Sequence, residues 1–135
     1  MPESVTLVRS DTLTDQVDYA YAAVVDLPSA RAVWTAGACP LDTDGNTVAP
    51  GDYVGQAHQV MHNLKAALDS AGVDRTDIVK TTVYVASADQ GDLVAAWTVV
   101  RSHLGEHDPP STLLGVAALG YDHQLVEVEA VALAR

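Results

Sequence analysis

The run "LVEVEAVALA", Leu125 to Ala134, carries two carboxylates, Glu127 and Glu129, in a segment that otherwise reads as buried strand. An acid among apolar side chains is costly unless paired or hydrogen-bonded, and burial disfavours the charged form, which suits a carboxylate to proton exchange. Glu127 is therefore the candidate catalytic acid–base group; the plainer reading is an acid on an exposed rim or paired across a subunit contact. Glu129, on the same face, reads as an interfacial or solvated acid. Ser111 and Thr112 follow Pro109-Pro110; their hydroxyls either donate to a neutral or carbonyl ligand or belong to a rigid lead into a strand. No serine–histidine–acid relay can be assigned, because no spacing selects a partner.

His58 and His62, in "HQVMH", stand four apart like a two-histidine zinc pair, but the intervening Glu is missing and no third ligand announces itself. No metal is expected. His103, His107 and His123 fall near chain turns, and their spacing assigns them nothing. Cys39 is the single cysteine, which excludes an intrachain disulfide and a multi-cysteine metal site. It reads as a small buried hydrophobe, with a cleft-lining role as the alternative.

The elements that must position these residues follow from periodicity. Tyr21–Leu27 and Arg31–Cys39 are apolar runs separated by "PSA", a hairpin pattern. "PLDTDGNTVAPGD" is a surface loop. Between Asp52 and Gly72, Val54, Ala57, Met61, Leu64, Leu68 and Ala71 recur at helical spacing, with Asp52 as N-cap and Gly72 as stop. Asp77–Ser87 reads as a strand. A second helix spans Asp89–Leu104, its inward residues including Leu93, Ala96, Trp97 and Val100, and it ends at Gly105. Strands are expected near Thr112–Leu119 and Gln124–Ala134, with one more at "SVTLVR". The result is an α+β two-layer domain, one sheet with two helices on one face, occupying residues 1–135 as a single domain. Trp34 and Trp97 are placed in the core. In the closing strand Glu127 and Glu129 share one face, while Val126, Val128, Ala130 and Ala132 make the other wholly apolar. A sheet with a second face neither helix-covered nor polar suggests burial against another subunit.

Composition bounds the chemistry. The chain has 135 residues, 48% hydrophobic and 19% charged, and a net charge of −11. Its few cations, Arg9, Arg31, Lys65, Arg75, Lys80, Arg101 and Arg135, form no basic stripe, which makes nucleic acid a poor partner. The first residues lack the pattern of a signal peptide and no apolar run reaches membrane-spanning length, so no membrane partner and a cytoplasmic location are expected.

Four stretches, "WTAGACPLDTDG", "NLKAALDSAGVDRTDIVKTTVYV", "PPSTLLGVAALG" and "LVEVEAVA", together resemble the Rid family (RidA/YjgF, reactive intermediate deaminases) over about Tyr21–Arg135. The resemblance implies a chorismate-mutase-like, mainly antiparallel fold assembled as a homotrimer, with small-molecule clefts at the subunit interfaces and no cofactor. In active members an enamine or imine acid is hydrolysed to a 2-keto acid and ammonia. Carried over by position, Glu127 places or activates water, Gly37 supplies a backbone N–H, Tyr21 lines the cleft, and Ala38, Cys39, Ser111 and Thr112 complete the substrate-binding set. The family's carboxylate-gripping arginine falls on Ser111, and the serine and glutamine that flank the motif glycine are both alanine here.

An arginine fork holds a carboxylate through two charged hydrogen bonds, whereas serine offers one neutral donor. The expectation is hydrolysis or tautomerisation of an enamine, imine or related carbonyl metabolite, with weak or no deamination of simple 2-imino acids. The alternative is a non-catalytic trimer that binds a metabolite or a protein; an endoribonuclease is least favoured, given the charge.

Overall fold

A computed structural model of the chain describes residues 5–135. Met1–Ser4, including the first residue of the expected "SVTLVR" strand, lie outside the described residues. In chain order the elements are strands β1 (Val5–Val8), β2 (Ala22–Leu27) and β3 (Ala30–Thr35), helix α1 (Tyr53–Ser70), strand β4 (Ile78–Val85), helix α2 (Gln90–Leu104), and strands β5 (Ser111–Gly115) and β6 (Val126–Ala134). A single turn of 3-10 helix, Arg75–Asp77, leads into β4.

The strands form one six-stranded sheet in the order β1-β2-β3-β6-β4-β5. Every pairing is antiparallel except β4 with β5. The parallel pair is joined by the α2 crossover, which a parallel connection requires. Both helices lie on one face. Leu64 and Val60 from α1 lie over β6, and Val100 and Leu104 from α2 lie over β4 and β5, in one core with Val126 and Val128. Asp52 caps α1 by accepting from the Gly55 N–H, and Asp89 caps α2 by accepting from Gly91. Gly72 follows α1 at φ 80°, a left-handed conformation natural to a glycine just past a helix end.

The helices cover the apolar face of β6, and Glu127, Glu129, Val131 and Leu133 lie on the open one. The uncovered face is thus not the wholly apolar row, yet it still carries large apolar groups: Trp34, Leu133, Leu7 and Leu27 are all exposed. Trp34 corrects the sequence expectation, since it is 50% exposed on this open face instead of buried. In β3 the inward face carries Arg31, Val33 and Thr35 and the open face Ala30, Ala32 and Trp34, so the polarity of the alternation points the wrong way. Val54 is likewise exposed, while Gln56 and Val60 of the same helix point inward. β3 stops at Thr35 instead of reaching Cys39, and β5 stops at Gly115 instead of Leu119. Among the described residues, no helix is long and apolar enough to cross a membrane.

Candidate functional site

The early end of β3 builds the site. Trp34 faces Val131 on β6, and the next pairing is an isolated bridge between Ala38 and Val128. Three residues of one chain segment, Thr35–Gly37, therefore face two of the other, Glu129 and Ala130: a bulge, which re-aims a strand where it occurs. Thr35 covers the gap in the ladder, its Oγ1 accepting from the Ala130 N–H at 2.9 Å. Ala38 resumes the ladder, donating to Val128 O at 2.7 Å. Gly37, at the turn of this excursion, lies against the Glu127 carboxylate so closely that a Cβ there would collide with Oε2. Any side chain at position 37 would displace the acid, which is a physical reason for the glycine.

Glu127 is held through one oxygen. Its Oε1 accepts from Gln124 Nε2 at 3.0 Å and from Cys39 Sγ at 3.3 Å. Among the described residues nothing donates to Oε2. Gln124 is itself buried and fully used, donating also to Val126 O and accepting from the Tyr121 N–H. The Cys39 thiol is pushed up to about 12, by burial first and then by the neighbouring Glu127 charge, so it stays protonated and serves as a donor. Both readings of Cys39 hold together: it is buried, and it touches the cleft. That cleft, an open concavity of about 510 Å³, is lined by Tyr19, Ala36, Gly37, Cys39, Gly120, Tyr121 and Glu127. The Tyr19 and Tyr121 hydroxyls meet at 2.9 Å. Burial, followed by that hydrogen bond, raises the Tyr19 phenol well above its ordinary range, which keeps it a proton donor. Among the described residues of the chain, no lysine or arginine lines this cleft.

The expected residues divide around this cleft. Glu127, Gly37 and Cys39 come together. Ala38 is buried behind the wall, with its backbone committed to Val128. Tyr21 also stands behind, its hydroxyl donating to Thr14 O at 2.5 Å, and the aromatic rim is Tyr19 and Tyr121. Ser111 and Thr112 lie two strands away on the sheet's edge. The Ser111 hydroxyl is paired with Thr81 Oγ1 at 2.5 Å and Pro109 O at 3.1 Å, and Thr112 accepts from Lys80 Nζ. Within one chain they do not reach Glu127. Glu129 is partly exposed on the open face and outside the cleft: it accepts a 2.6 Å hydrogen bond from Tyr84, and the phenol is in turn pushed up to about 12. Tyr19, Tyr121 and Gln124 escaped the sequence reading because loops deliver them. No periodicity marks a loop residue, and Tyr19 and Tyr121 are 102 positions apart. The described residues contain no ready-made cluster of three or more metal-ligating side chains.

A two-layer α+β fold with an acid wedged against a glycine in an open cleft is the setting in which the known relatives become informative. Residues 13–134 match the family model for Endoribonuclease L-PSP, and the chain belongs to that family, the RidA/YjgF group it resembles in sequence. It is 36% identical over 118 residues to the 2-iminobutanoate/2-iminopropanoate deaminase of Salmonella typhimurium, spanning 85% of this chain and 88% of that protein. Among solved structures it is similar to Escherichia coli TdcF with bound serine (TM-score 0.78, 28% identity, 96% and 98% of the two chains). The YjgF gene product of Escherichia coli is similar too (TM-score 0.77, 28% identity, 96% and 99%).

Proposed function

We propose that the Glu127 cleft hydrolyses or tautomerises a small C=N or enol compound, and that the preferred substrate is neutral. The observation that carries this reading is the divided Glu127 carboxylate: Oε1 is saturated by Gln124 and Cys39, and Oε2 is left free in front of Gly37. A carboxylate fixed at one oxygen offers the other to a water molecule or a substrate proton, which is the geometry of a general base. In hydrolysis, Oε2 takes a proton from water as its oxygen bonds to the C=N carbon. Oε2 passes that proton to the imine nitrogen to give the neutral carbinolamine. It then takes the carbinolamine hydroxyl proton and delivers it to nitrogen as the C=O forms and the C–N bond breaks, and the products are a carbonyl compound and ammonia. The protonated Tyr19 and Tyr121 hydroxyls can donate to a carbonyl oxygen.

The same cleft offers a substrate carboxylate no cation, and the net charge of −11 opposes anions further. The chain is therefore a weak deaminase of 2-imino acids, with Ser111 standing where the family's arginine is expected. We also propose that the open sheet face closes a homotrimer and that each cleft is completed by a neighbour. Against the nuclease reading, no lysine or arginine among the described residues of one chain lines the cleft. Turnover of neutral enamines and imines should be compared with that of 2-imino acids generated by an amino acid oxidase and trapped with semicarbazide. Neutral compounds turn over and semicarbazone formation is barely suppressed on this reading; efficient suppression overturns it, and retention of RNA at low salt would restore the nuclease.

A further inference from the structure

The fold supplies the third histidine that the "HQVMH" spacing lacks. His58 and His62 project from α1, and His103, in the last turn of α2, is laid between them. The His103 ring is 5.2 Å from that of His58 and 5.3 Å from that of His62, centroid to centroid, both edge-on. His58 Nδ1 and His103 Nε2 are 2.9 Å apart.

In a tetrahedral zinc site with bonds of about 2.0–2.1 Å, adjacent ligand nitrogens stand about 3.3 Å apart, so the pair must open by a few tenths of an ångström and its rings tilt until both lone pairs converge on the cation. The two rings share one proton on the facing nitrogens, and a shift of the donor ring to its other tautomer frees both lone pairs. His62 is exposed and can turn its ring toward the pair. A groove of about 430 Å³ beside His62 and His103 leaves room for the water that completes the coordination. The strongly negative chain draws cations to its surface. The nearest positive groups are already committed elsewhere: Arg75 donates to the His103 carbonyl, and Lys65 is paired with Asp69.

We infer that His58, His62 and His103 form a surface site for a divalent cation of the zinc class, preformed as a pair and completed by rotation of His62, which clamps α1 to α2. The three histidines share no residue with the lining of the Glu127 cleft.

Equilibrium dialysis of the metal-free protein against zinc chloride tests it, with thermal unfolding as a second readout. One saturable equivalent of Zn²⁺ per chain and a metal-dependent rise in Tm are expected. His58→Ala and His103→Ala each weaken binding by more than about tenfold, whereas Cys39→Ser and Glu127→Gln leave it intact. His58 is exposed and His103 half-exposed, so both variants fold. Absence of a saturable equivalent, binding that survives both histidine substitutions, or binding lost with Cys39→Ser overturns the inference.

Discussion

Gly37 and Glu127 compete for one space, and that competition makes a sharp test at the level of single residues. Gly37→Ala places a methyl where Oε2 lies. The carboxylate must swing by about 1 Å or more, a misplacement worth about a hundredfold in rate. Steady-state kinetics on Gly37→Ala should therefore show a fall in kcat of that order with little change in Tm; unchanged kcat would mean that Oε2 plays no part. Cys39 makes a second prediction. Its thiol rises from about 9 in an unfolded chain to about 12 in the fold. Folding thus favours the protonated form, and the stabilisation is complete below about pH 9 and lost as pH climbs toward 12. Urea unfolding should show stability falling over that window, less steeply in Cys39→Ser. Since the thiolate is the nucleophile, iodoacetamide should label native Cys39 at pH 8 about a thousandfold more slowly than the unfolded chain.

At the scale of elements, α1 positions the cleft from behind. Gln56, wholly buried, donates to His123 O at 2.8 Å and accepts from the Leu125 N–H at 2.7 Å, fixing the turn into β6. One turn and three residues further on, Asn63 donates to the carbonyls of Cys39 and Leu41, at 2.8 and 2.9 Å, fixing the segment after Gly37. The two walls of the site are tied to one rigid helix. Gln56→Leu strands buried partners on both sides of the turn at about 1–3 kcal/mol for each group left unsatisfied, so urea unfolding should show a loss of about 3 kcal/mol. A loss near zero would remove Gln56 from this role. The helix itself was legible in the sequence, because the stripe from Ala57 to Leu68 repeats with the helical period and Asp52 and Gly72 bracket it. Glu127 and Gly37 were legible through the resemblance of their surrounding motifs. What the pattern could not convey is whatever depends on a loop or on a choice between two apolar faces. Gln56 has the same local signal as any polar residue on a helix, Trp34 lies on the more apolar face of β3 although that face is the open one, and Tyr121 comes from a loop whose backbone is held by Gln124.

For the whole molecule, the open sheet face is the feature that a lone chain leaves unexplained, with Trp34, Leu133, Leu7 and Leu27 exposed together. Contiguous apolar surface of this kind marks an interface, in keeping with the proposed trimer. Leu133→Lys should convert the assembly to monomers, read by light scattering on a sizing column; a wild-type monomer would remove the shared cleft from the account. Ser111 is engaged with Thr81 and Pro109 in its own chain. On the proposal of a shared cleft, a cation placed there by Ser111→Arg serves a neighbour's site, and a gain of 2-imino-acid hydrolysis in that variant should disappear when Leu133→Lys is added. The central claim is that the free oxygen of Glu127 carries the chemistry. It is tested most directly by the kcat of Glu127→Gln on a neutral imine or enamine turned over by the parent protein. Glutamine keeps the size and the Oε1 contacts but cannot take a proton, so kcat should fall by about a hundredfold or more with Tm and assembly unchanged, whereas turnover equal to that of the parent would contradict the account.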